Sequence, residues 1–67
     1  MHCLIVSASP REIDRLRAKA SRIARQDKAD WWVEKQDKGT HFCFESNEAK
    51  TAFTELCKAQ SVHCSDA

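Results

Sequence analysis

Between Asp30 and Lys58 the chain reads DWWVEKQDKGTHFCFESNEAKTAFTELCK, two short alternating runs divided by a glycine and followed by a helical pattern. Few folds accommodate that order. Asp30 to Lys35 alternates Trp31 and Val33 against Trp32 and Glu34, and Thr40 to Glu45 alternates Phe42 and Phe44 against His41, Cys43 and Glu45. Successive side chains of a strand point to opposite faces, so the two runs predict a pair of strands. Gln36-Asp37-Lys38-Gly39 joins them, and the chain's single glycine predicts a type I turn closed by a left-handed residue. Ser46 then predicts a helix cap with Glu48 in the first turn, and Ala49, Ala52, Phe53, Leu56 and Cys57 fall on one stripe. That stripe is expected to cover the hairpin face carrying Phe42 and Phe44, shared with Trp31 and Val33.

Upstream, His2 to Ser7 is a short run with Leu4-Ile5-Val6 at its centre, which predicts a central strand buried on both faces or nearly so. Ser9-Pro10-Arg11-Glu12 combines a capping serine, proline at the first helical position and glutamate three residues after the serine, a capping box. The helix that follows carries Ile13, Leu16, Ala20, Ile23 and Ala24 on one side and is expected to end near Lys28. Ser61-Val62-His63-Cys64 reads either as a short fourth strand or as a frayed tail that pairs weakly. The expected fold is therefore one small α+β domain over residues 1–67, in the order β-α-β-β-α. This is a ferredoxin-like split βαβ arrangement truncated at its end, an antiparallel sheet with both helices on one face.

A chain of 67 residues has room for a single core and buries only about 60% of its unfolded surface, so self-association or a partner would add stability. No run is long and apolar enough to span a bilayer, and Cys3 to Ala8 has neither the charged flank nor the length of a signal peptide. The expectation is a cytoplasmic protein. Four cysteines would allow two disulfides in a secreted chain; without a secretion signal free thiols are the expected state of all four, with two Cys pairs as the alternative.

The alternation leaves Cys3, Ile5, Trp32, Glu34, His41 and Cys43 on the sheet face away from the helices, an apolar set for a solvated surface and a candidate partner-binding face. A second candidate is electrostatic. Between Pro10 and Lys28 stand seven basic and three acidic residues, against four basic and seven acidic in the remainder. Arg11, Arg15, Lys19, Arg22 and Arg25 project opposite the apolar stripe, where they would meet phosphate or an acidic protein, or simply water.

Lys38-Gly39-Thr40-His41-Phe42 resembles the signature of the RNA-recognition motif, in which a Lys-Gly pair leads into a strand that stacks bases on aromatic rings. The pattern departs at Thr40, His41 and Glu45, and a glycine-ended hairpin before a core strand accounts for the same letters. His2-Cys3, His41-x-Cys43 and His63-Cys64 are possible metal ligands. However, neighbours on a strand point to opposite faces, no C-x-x-C occurs, and no metal or other cofactor is expected. Cys43 and His41 share a face without a third group to orient the histidine, and no phosphate-binding loop or paired carboxylate motif is present.

These features predict no enzyme. They predict a protein-binding module acting through the open sheet face, alone or by self-association. It would be an adaptor, regulator or inhibitor of a larger complex, of the kind phage and mobile elements encode. The alternative is a nucleic-acid-binding or regulatory domain using the basic helix.

Overall fold

Both alternating runs form strands. The computed structural model describes residues 2–37 and 39–66, and orders them as β1 (His2–Ser7), α1 (Pro10–Gln26), β2 (Trp31–Gln36), β3 (Gly39–Phe44), α2 (Asn47–Ala59) and β4 (His63–Asp66). The strands make one open sheet in the order β2-β3-β1-β4, with every neighbouring pair antiparallel. The chain is thus α+β with two helices and a four-stranded sheet. β1 lies in the interior of that sheet, as its apolar run predicts, but it is buried on one face and not on both: Leu4 and Val6 are buried while Cys3 and Ile5 stay partly exposed. The hairpin supplies one edge.

The fourth strand corrects the expectation of a truncated order. It also begins two residues later than the sequence pattern implied, because Ser61 adopts a left-handed conformation (φ 57°) and belongs to the turn that ends α2. From His63 the chain pairs with β1, placing Cys64 opposite Val6 and Asp66 opposite Leu4. The Lys50 Nζ to Asp66 Oδ1 contact of 3.0 Å links the end of β4 to α2. With Asp66 largely in water, that pair adds little stability.

The helix starts follow from local hydrogen bonding. At α1 the Glu12 amide donates to Ser9 Oγ and the Ser9 amide donates to Glu12 Oε1, each at 3.3 Å, so two otherwise orphaned donors are satisfied reciprocally. At α2 the Ala49 amide donates to Ser46 Oγ at 3.0 Å. The Ser46 hydroxyl in turn donates to the carboxylate of Asp27, the residue that closes α1. One hydroxyl therefore ties the end of the first helix to the start of the second.

The helix ends use no glycine. α1 stops at Gln26, slightly before the expected Lys28, and Lys28 itself is left-handed with φ 53°. The Lys28 amide donates to the Arg25 carbonyl at 3.2 Å and the Ala29 amide to the Ala24 carbonyl at 2.9 Å. α2 ends in the same way, with Ser61 donating to Lys58 at 3.1 Å and Val62 to Cys57 at 2.8 Å. Both are Schellman closures, in which a residue with positive φ turns the chain back on the last carbonyls.

Leu4 and Val6 of β1, Phe42 and Phe44 of β3, Leu16, Ala20 and Ala24 of α1, and Ala49, Phe53 and Cys57 of α2 form a single buried cluster. Phe53 is its hub. The Phe53 ring centroid is 4.8 Å from that of Phe42 and 5.3 Å from that of Phe44, so the α2 stripe covers the hairpin as predicted. Trp31 and Val33 pack against the same cluster while remaining partly exposed, as do Ile13, Ile23 and Leu56. Ala52 is exposed, so the α2 stripe is narrower than its sequence spacing suggested. Among the described residues no polar or charged side chain is buried.

Candidate functional site

The two faces of the sheet follow from its register. Across one row, Trp32 on β2 lies opposite Cys43 on β3, and Cys43 lies opposite Cys3 on β1. Across the next, Glu34 lies opposite His41, His41 opposite Ile5, and Ile5 opposite Ser65 of β4. Alternation puts both rows on the side away from Leu4, Val6, Phe42 and Phe44. The six residues singled out from the sequence, Cys3, Ile5, Trp32, Glu34, His41 and Cys43, are thus brought together on three adjacent strands.

Their exposure is graded. Glu34 is exposed, Ile5, Trp32, His41 and Cys3 are partly buried, and Cys43 is only 4% exposed. Cys43 has a neighbour on each side in its row, Trp32 and Cys3, which accounts for its burial. Neither Ile5 nor Trp32 belongs to the buried cluster or packs against it.

The cysteines overturn one expectation. Cys3 and Cys43 form a disulfide rather than two free thiols. Their Cα atoms are 4.0 Å apart, the close approach of a non-hydrogen-bonded antiparallel pair rather than the ~5.5 Å of a hydrogen-bonded one. Sequence spacing could not have revealed this, because the partners are 40 residues apart and meet only through the β1–β3 register. The bond removes Cys43 as a nucleophile beside His41, and it engages both thiols that a cluster at this end of the sheet would offer a metal. Among the described residues no group of three or more His, Cys, Asp or Glu side chains is placed to hold a metal ion.

At the hairpin, Gly39 pairs directly with Gln36 and has φ 137°, a conformation that side-chain-bearing residues rarely adopt. A Cβ there would lie 2.9 Å from the Val6 carbonyl oxygen and 3.1 Å from Ile5 Cγ2. The positive φ agrees with the predicted glycine role, whereas the type I assignment depends on Lys38, outside the described residues. Gln36, Asp37, His41 and Ile5 border an open cleft at this corner of the same sheet face.

The resemblance to an RNA-recognition motif meets an obstacle in this register. Phe42 and Phe44 are 0% exposed and pack against Phe53, so neither ring is available to a base. Trp32 is the aromatic residue on the open side.

The basic set lies elsewhere. Arg11, Arg15, Lys19, Arg22 and Arg25 are all exposed on α1, on the side opposite Leu16, Ala20 and Ala24. At 1.5 Å rise per residue they extend over about 21 Å of helix. Among the described residues the ion pairs are Lys50–Asp66 and Lys58–Glu55, so these five cations have no carboxylate partner within 4.0 Å. Among the described residues no helix is long and apolar enough to cross a membrane.

No family model matches the chain, and no curated protein or solved structure is significantly similar to it.

Proposed function

We propose that this chain is a non-enzymatic protein-binding module that works through the open face of its sheet, as an adaptor, regulator or inhibitor of a larger complex. The observation that carries this reading is the patch made by Trp32, Ile5 and the Cys3–Cys43 disulfide, apolar groups set side by side outside the buried cluster. A contiguous apolar surface of this kind favours association, and an aromatic ring on a rigid scaffold contributes heavily to interface energy. The disulfide fixes the relative position of two strands under the patch, which lowers the ordering cost of binding. The strand order and the single cluster support a ferredoxin-like arrangement with both helices on the other face, leaving this one free.

A cytoplasmic location, the expectation from the sequence, is part of this proposal. There the Cys3–Cys43 bond would be exposed to the reducing glutathione pool, so the contact surface would exist in two redox forms. The second reading, a nucleic-acid-binding domain, is favoured by the five cations along α1, which have no ion-pair partner among the described residues.

Sedimentation and salt titration separate the two. If the sheet face is the contact, Trp32→Ala weakens self-association or partner binding without unfolding the chain, and added salt has little effect. If α1 is the contact, duplex or single-stranded nucleic acid binds, affinity falls steeply with salt, and Arg15→Ala with Arg22→Ala removes it. Wild-type affinity in Trp32→Ala, for a second copy or for a purified partner, would refute the first reading.

A further inference from the structure

The two cysteines outside the disulfide are also neighbours. Cys57, in the last turn of α2, is fully buried, and its carbonyl accepts the Val62 amide at 2.8 Å, which turns the chain back across the helix end. Two residues further on, Cys64 of β4 lies opposite the buried Val6 and packs against the same cluster as Cys57. The two differ in access. Cys64 is partly exposed and borders a cleft of about 330 Å³, together with Thr54, Lys58, Val62, His63 and Asp66.

We propose that Cys57 and Cys64 form a dithiol that oxidises to a second intramolecular disulfide. Cys64 is the attacking thiol, and a small peptide disulfide such as oxidised glutathione is the oxidant. Lys58 and Asp66 give the cleft one charge of each sign, which suits a zwitterionic peptide. The Cys64 thiol loses its proton to solvent and attacks one sulfur of the oxidant. The oxidant's S–S bond breaks, one glutathione leaves as a thiolate that takes up a proton, and a mixed disulfide remains on Cys64. Cys57 then loses its proton, attacks the Cys64 sulfur and displaces the second glutathione, which is protonated in turn. Two protein thiols are oxidised by two electrons and two glutathione thiols are formed.

The order of attack follows from the environments. Burial, reinforced by the adjacent Cys64, pushes the Cys57 thiol up to about 12, so it remains protonated at neutral pH and does not make the first attack. Once glutathione sits on Cys64, Cys57 is the nearest thiol and the reaction becomes intramolecular.

Trypsin makes the test direct, because cleavage after Lys50 and Lys58 puts Cys57 in peptide 51–58 and Cys64 in peptide 59–67. The chain with Cys3–Cys43 intact is incubated with oxidised glutathione, then alkylated and mapped by mass spectrometry. The expected products are peptides 51–58 and 59–67 joined by a disulfide, with no glutathione retained. Cys57→Ala, checked for folding by circular dichroism, should trap glutathione on Cys64, and Cys64→Ser should take up none. The proposal is overturned if the wild-type chain keeps glutathione on Cys64 with Cys57 free, if Cys57 is the residue first modified, if neither reacts, or if either cysteine is joined to Cys3 or Cys43. The wild-type map decides even if a variant fails to fold.

Discussion

β3 presents two different surfaces from one six-residue strand. Phe42 and Phe44 turn into the cluster around Phe53 and are fully buried, whereas His41 and Cys43 turn the other way, to the row shared with Trp32, Cys3 and Ile5. On the first side stability comes from apolar area covered by helices. On the second a covalent bond joins the strands directly, beside side chains that stay partly exposed. The comparison shows that an apolar residue on this sheet is not by itself evidence of core packing, because Trp31 and Trp32 are adjacent in sequence and belong to opposite sides.

The largest expected effect lies on the packed side. Phe53→Ala removes the ring that both β3 phenylalanines contact and should cost about 3–5 kcal/mol, a large share of the stability of a domain this size. Trp31→Ala should also destabilise measurably, whereas Trp32→Ala should leave the thermal midpoint nearly unchanged. Equal losses at the two tryptophans would erase the distinction between the faces.

Next comes the bond on the open side. Reduction of Cys3–Cys43 releases a loop of roughly 40 residues and should lower unfolding free energy by about 3–4 kcal/mol, in the chain-entropy account. Urea titration with and without reductant measures it, and coincident curves would mean the bond contributes nothing to the native balance.

Gly39→Ala should cost about 1–3 kcal/mol, since it combines an unfavourable φ with a Cβ pressed against the Val6 carbonyl. The penalty falls on the open side, so the near-ultraviolet signal of Trp32 should change more than that of Trp31. A fully neutral substitution would show that the hairpin relaxes freely.

The smallest effect is confined to alkaline solution. The Cys57 thiol is raised above its ordinary value of 9.0 by burial and by Cys64, so the folded state prefers the protonated form. That contribution is complete below pH 9 and is lost as pH rises toward 12. Cys57→Ala should flatten the decline of the thermal midpoint over that interval while leaving the pH dependence below 9 unaltered.

Local chemistry made much of this architecture legible. Ser9, Pro10 and Glu12 announce α1, Ser46 announces α2, and the alternation around Gly39 assigns both faces of the hairpin, because each depends on residues a few positions apart. The same alternation assembled the candidate surface. What escaped depends on distance or on tolerance. The Cys3–Cys43 pairing requires the register of two strands far apart in sequence. The left-handed Lys28 and Ser61 close both helices without the glycine that ordinarily marks such ends. β4 was ambiguous because four residues with one apolar member carry almost no periodic signal, and its pairing with β1 is tertiary.

The position of the Cys3–Cys43 bond also orders the motions of the sheet. It joins β1 to β3, the middle pair, so β2 and β4 are the strands left to separate on their own. Of these β4 is the shorter, at four residues. Opening therefore begins at the rims and dies away toward the clasp. Amide hydrogens of β4 should exchange with solvent first, those of β2 next, and those shared between β1 and β3 only in the rarest excursions.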